Sequence, residues 1–208
     1  MSLLREKITI MSKDELPGRH SIRLKSFDYP LRGRCSQAGG YFVTIVTLGR
    51  ECLFGEIISG EMRLNEVGKM IQKSWEALPV RFHGVEMDIF QVMPNHFHGI
   101  IVIPNSGATH VSFEDDMVAQ TQRAGTRPAP ALGNIIGAFK SITTHTYIHG
   151  VDELGWPQFY KRLWQRNYYE HIIRDQRDYE RITNYIIANP ANWADDEENL
   201  NRLQSPHK

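Results

Sequence analysis

The stretch VEMDIFQVMPNHFHGIIVI (85–103) constrains the fold more than any other. Two β-rich apolar runs flank Pro94-Asn95, a pair with turn chemistry, so 85–93 and 96–103 read as an antiparallel β-hairpin. The second run opens with two histidines two residues apart. Alternate strand residues share a face, so His96 and His98 point the same way and Phe97 packs behind them. A lone strand histidine is usually a core or edge residue bonded to backbone. Two on one face also form a rigid pair of imidazoles, and neutral imidazole is a common metal ligand.

The rest of the chain supplies partners for this hairpin. YFVTIVTLG (41–49) is a buried strand by composition. RLNEVGKMIQKSWEALP (63–79) spaces Leu64, Val67, Ile71, Trp75 and Leu78 as an amphipathic helix stopped by Pro79. Periodicity vanishes from 104 to 130, which reads as a mobile loop. It returns in LGNIIGAFKSITTHTYIHG (132–150), a helix with Gly150 as its expected stop. QFYKRLWQRNYYEHIIR (158–174) holds a short strand, and DQRDYERITNYIIANP (175–190) is a helix ended before Pro190. The order strand, helix, strand, strand, helix, strand, helix is the ferredoxin-like split βαβ plan of an α+β fold. It implies an antiparallel sheet with helices on one face and an added C-terminal helix. The other sheet face is then open, and the histidines look out from it.

The 208 residues suit one domain. They divide into a basic extension (1–39), a folded unit (40–193) and an acidic, polar tail (194–208). Lys plus Arg and Asp plus Glu are both 24, so net charge points to no nucleic-acid or membrane partner. Distribution says more, because residues 1–50 carry nine basic and four acidic side chains, which permits a basic face on a neutral protein. No stretch approaches the ~20 apolar residues of a membrane-spanning helix. Cys35 and Cys52 have no metal or redox spacing and read as reduced thiols, so the expected compartment is the cytoplasm.

The last helix can complete a site at the histidine pair. Tyr185 and Asn189 are one turn apart on one helix face. By themselves they read as a boundary packing residue and a C-terminal cap. MPNHFHGIIVI followed far downstream by YIIANP resembles the single-tyrosine HUH (insertion-sequence 200-like) transposases, in particular the REP-associated tyrosine transposases. HUH stands for His, a hydrophobic residue, His. SIRLKSFDYP (21–30), YFVTIVT, AFKSITT (138–144) and WQRNYYEH (164–171) extend the resemblance over most of the chain.

The resemblance implies a ferredoxin-like fold and a metal-dependent single-stranded DNA endonuclease and strand transferase. Tyr185 matches the nucleophile, which forms a 5′-phosphotyrosine intermediate at sites containing a hairpin. His96 and His98 match the metal-binding pair, and Asn189 matches the polar residue that helps hold Mg²⁺ or Mn²⁺. These four positions show no departure from the family, whereas the neutral net charge does. The DNA surface is then expected from the basic extension, Lys140, and Arg166 and Arg181 of the Arg-rich stretch, with Trp164, Tyr168 and Tyr169 stacking bases. The expected partner is single-stranded DNA with a hairpin, with no membrane, and relatives allow a homodimer. The alternative is a domesticated protein that binds DNA hairpins without cutting. Histidine-triad hydrolases need a third histidine where this chain has Ile100, and the helices argue against an all-β cupin.

Overall fold

The computed structural model describes residues 39–104 and 130–204. The basic extension, apart from Gly39, and the expected loop between Pro104 and Pro130 lie outside the described residues. Four strands, β1 (Gly39–Val46), β4 (Glu86–Val92), β5 (His96–Ile103) and β6 (Tyr169–Ile173), form one sheet. A separate pair, β2 (Gly55–Ile58) and β3 (Glu61–Leu64), lies between β1 and the first helix. The four-stranded sheet runs β4-β5-β1-β6 with every neighbour antiparallel. This is the split βαβ arrangement.

Alternation along β1 and β5 sorts side chains onto two faces. On one face Val43, Ile45, Phe97, Ile101 and Ile103 pack against helices α1 (Glu66–Glu76) and α3 (Leu132–Leu154). Trp75 of α1 lies 4.4 Å from the Phe97 ring, centroid to centroid. Gly99 makes room for it, since a Cβ there would stand 2.6 Å from Trp75 Cζ2. Each such fully buried large side chain contributes roughly 1.5–3 kcal/mol by leaving water.

The other face is not open. Helix α4 (Gln176–Ala188) lays Tyr179, Ile182 and Ile186 over Phe42, Ile100, Val102 and Ile173. The expectation of an exposed platform therefore fails, because the added helix has an apolar stripe to bury and this face is where it goes. His96 and His98 are 0% and 2% exposed.

Local boundaries also differ from the sequence reading. The helix expected over 63–79 starts at Glu66, because residues 63–64 belong to β3. The β2–β3 hairpin escaped notice because its strands have four residues each with little apolar contrast. Its two-residue link, Ser59 (φ 53°) and Gly60 (φ 79°), has the positive φ pair that matches strand twist. Asn65 caps α1 by accepting from the Gly68 amide, and Pro79 opens the short turn α2 (Leu78–Arg81). Helix α3 passes through Gly150 and ends at left-handed Gly155 (φ 68°). Gly150 is a packing residue: a Cβ there would come within 2.2 Å of the Trp156 ring. Asp175 caps α4 through the Asp178 amide.

Candidate active site and metal centre

The Pro94-Asn95 turn delivers more than a chain reversal. Asn95 is buried, and its Nδ2 donates to the carbonyls of Arg50 (3.0 Å) and Glu198 (2.8 Å). Two carbonyl acceptors fix the amide's orientation, so its Oδ1 faces Nδ1 of His96 at 2.9 Å. An amide oxygen only accepts. Nδ1 of His96 therefore carries the proton, and Nε2 keeps its lone pair. His98 Nδ1 pairs with the Thr44 hydroxyl at 2.8 Å from the neighbouring strand. The two Nε2 atoms face each other at 2.9 Å.

Burial first, then the positive charge that His96 would carry, holds His98 well below the usual histidine range. Burial lowers His96 to about 4, against the Glu198 charge and the nearby Asn189 side chain, which act to raise it. Both imidazoles are thus neutral at pH 7, the form that ligates metals.

Helix α4 brings three side chains to this pair at one-turn intervals: Arg181, Tyr185 and Asn189. The Tyr185 hydroxyl is 3.5 Å from His98 Nε2, at the outer limit of a hydrogen bond. Its ring meets His98 at 5.2 Å between centroids, and Phe42 stacks on His98 from the sheet. Asn189 is buried; its Nδ2 donates to Asp196 at 3.2 Å, while its Oδ1 has no hydrogen-bond partner. A buried amide oxygen without a donor is costly, and a cation would satisfy it.

By composition Asp196 belongs to the acidic tail. Residues just beyond α4 instead fold back over the site through the single-turn helix Trp193–Asp195. The ligand atoms of His96, His98 and Asp196 all lie within 4.8 Å of one another. Two neutral imidazoles and an orphaned amide oxygen suit a divalent cation, so these residues fit the metal expected from the sequence.

A cleft of about 610 Å³ opens beside Tyr185. Its lining carries His171 and Arg181, both bonded to Asp178, together with Asp195, Asp196, Glu197 and Glu198. Burial, then Asp196, raises the Tyr185 phenol above its ordinary value; Glu197 and Glu198 add to this, and an Asn189 hydrogen bond opposes it.

The residues expected on a DNA surface divide. Arg181 is exposed at the cleft rim one turn before Tyr185, and Arg166 is exposed. Trp164 is 4% exposed, packs on Phe54 and Phe139, and donates its Nε1 to Thr143. It is core, and no base can stack on it there. Lys140 gives its ammonium to the carbonyls of Gln165, Arg166 and Asn167. All three of its donors are engaged, so it ties α3 to the segment before β6 and offers phosphate nothing. Tyr168 is half-buried with the Lys140 ammonium 5.5 Å over its ring, and burial with Glu170 pushes its phenol up to about 12. Tyr169 is more than half exposed and meets Phe42 edge-on at 6.2 Å between centroids.

Among solved structures, the chain shares its fold with a REP-associated tyrosine transposase bound to a REP hairpin. The TM-score is 0.50 at 19% identity, over 79% of this chain and 73% of the other. The resemblance read from the sequence thus holds at the level of an α+β fold with a four-stranded antiparallel sheet. A crystal structure of a Deinococcus radiodurans R1 protein is less similar, with TM-score 0.43 and 16% identity over 76% of this chain and 96% of the other. No family model matches the chain. The chain belongs to one family with a Haemophilus influenzae protein, described as uncharacterized, to which it is 38% identical over 183 residues, 86% of this chain and 92% of the relative. Among the described residues no helix is long and apolar enough to cross a membrane.

Proposed function

We propose that this chain is a single-tyrosine transposase of the REP-associated type: a metal-dependent endonuclease and strand transferase for single-stranded DNA at hairpin-containing sites. The observation that carries the reading is Tyr185, presented by α4 within 3.5 Å of a buried, neutral histidine pair. The REP hairpin held by the structural neighbour supports a hairpin DNA partner.

In this reading the Tyr185 oxygen attacks the scissile phosphorus as the phenolic proton leaves. The bond to the 3′ oxygen breaks and that oxygen takes up a proton from solvent, which received the phenol's, giving a 5′-phosphotyrosine and a free 3′-OH. The 3′-OH of another strand reverses the step, so cutting and joining are one reaction run twice. His96, His98 and Asn189 would hold Mg²⁺ or Mn²⁺, which would supply Lewis-acid polarisation of the phosphate and offset transition-state charge. Thr44 and Asn95 orient the imidazoles, and Phe42 walls one side of the cleft. Arg181 stands at the rim for a neighbouring phosphate. The catalytic unit spans 40–193 and takes in the acidic residues that fold back as far as Glu198, while the basic extension 1–39 adds DNA contacts. The compartment is the cytoplasm and a homodimer is compatible with the reading.

The test is incubation with labelled single-stranded hairpins from the DNA flanking the gene, with Mn²⁺, followed by denaturing electrophoresis. A metal-dependent, denaturation-resistant protein–DNA adduct is expected. One observation favours the non-cutting alternative: burial, then the acidic residues lining the cleft, raise the Tyr185 phenol, and those residues repel phosphate. Hairpin retention on native gels, with no adduct on any flanking hairpin, decides for that alternative.

A further inference from the structure

The segment after α4 bears on the metal itself. Its turn is built by Asp195 N–H to Asn192 O and Asp196 N–H to Trp193 O, and Asn199 Nδ2 closes it onto Trp193 O. The Trp193 ring stands 5.9 Å from the His96 ring. Glu198 fastens the far end: its carboxylate takes Arg50 Nε at 2.5 Å and its carbonyl takes Asn95 Nδ2 at 2.8 Å. Asn95 is the residue that orients His96. The same clasp therefore holds a histidine and the acidic segment in register.

Within that segment Asp196 is the side chain turned to the histidines. Its Oδ1 accepts from the Glu198 amide and its Oδ2 from Asn189 Nδ2. A carboxylate offers about four lone-pair sites, so both oxygens retain acceptor capacity. Asp196 makes no salt bridge among the described residues. Next to it lie two Nε2 atoms at 2.9 Å; that of His96 presents a lone pair, which takes either the His98 proton or a cation. The buried, unpartnered Oδ1 of Asn189 borders the same space.

We propose that Asp196 is a protein ligand of the divalent metal, so that the segment behind α4 is part of the metal centre and is held over Tyr185 by it. This rests on the metal reading above and goes beyond it, since two histidines and the amide are the only donors that reading uses. A carboxylate hardens a set of imidazoles toward Mn²⁺ and Mg²⁺ and away from zinc. It also links metal occupancy to the position of the acidic wall of the cleft.

The test uses the full chain and Mn²⁺ alone, followed by calorimetry and by electron paramagnetic resonance of free Mn²⁺. Asp196→Asn, nearly isosteric, is expected to weaken binding tenfold or more, since even an outer-sphere partner costs about that much. Tyr185→Phe is expected to bind as wild type. In wild type, Mn²⁺ is also expected to slow hydrogen exchange in the 193–199 amides, a readout that no variant's folding can spoil. Loss of binding in His96→Ala with unchanged binding in Asp196→Asn overturns this inference and leaves the metal reading standing. So does unchanged exchange in the segment when Mn²⁺ binds. Wild type that binds no Mn²⁺ overturns both.

Discussion

The hydroxyl of Tyr185 stands 3.5 Å from Nε2 of His98, although 87 residues separate them in the chain. Helix α4 sets the height of the phenol, strand β5 sets the direction of the imidazole, and Phe42 touches both rings from the sheet. That contact makes the tyrosine and the histidine pair one site.

Tyr185→Phe removes only the oxygen. The variant is expected to form no covalent DNA adduct while its Mn²⁺ affinity and hairpin affinity stay within about twofold of wild type, a difference of about 0.4 kcal/mol. Stability is expected to change by less than about 1 kcal/mol, since the ring packing remains and the hydroxyl bond is marginal. An adduct persisting in this variant, read on a denaturing gel, moves the nucleophile elsewhere.

Acid is expected to destabilise the metal-free protein through the buried histidines. Unfolded, His96 titrates near 6.5; folded, it titrates near 4. Between those values the unfolded chain binds a proton that the native state refuses. The stability His96 contributes is therefore intact above pH 6.5 and is lost as pH falls to 4, by roughly 3 kcal/mol in all. His98, lowered for the same reason, acts in the same direction. Urea denaturation from pH 7.5 to 4 measures the loss. His96→Gln is expected to flatten the profile over that window.

Lys140→Ala and Trp164→Ala are expected to act on folding rather than on DNA. Removing the ammonium takes the donor from three carbonyls, two of them exposed to water, at a cost of about 1 kcal/mol. Truncating a buried tryptophan that also donates to Thr143 costs about 3–5 kcal/mol. Arg181→Ala serves as the contrast, with stability nearly unchanged and weaker binding to single strands. Chemical denaturation and the salt dependence of binding separate the two classes.

Gly99→Ala is expected to lower stability by about 1–3 kcal/mol. The new methyl meets Trp75 at 2.6 Å and Phe97 at 2.8 Å, both rings fixed in the core between sheet and helix. A Trp75→Leu background, with its smaller side chain, is expected to absorb part of that penalty in a double-mutant cycle.

The sequence by itself determined what is local and periodic. Strand alternation set His96 and His98 on one side and Phe97 on the other, and the turn before them paired β4 with β5. A 3.6-residue spacing made α1, α3 and α4 helices, and put Tyr185 and Asn189 on one face. The order of elements then left few ways to arrange the sheet. Tertiary structure decided what depends on contacts between distant residues. Asn95 reaches Glu198 across 103 positions to orient His96, and no periodicity encodes that distance. Asp196 sits in an acidic run that composition alone marks as solvated surface, and only the fold-back after α4 brings it to the histidines. Trp164 and Lys140 look like nucleic-acid contacts by residue type. Burial of Trp164 and the three carbonyls around the Lys140 ammonium give both residues contacts that residue type does not reveal. Helix α4 covers the sheet face that a four-stranded plan leaves bare, because its apolar stripe gains more by leaving water there than by facing it.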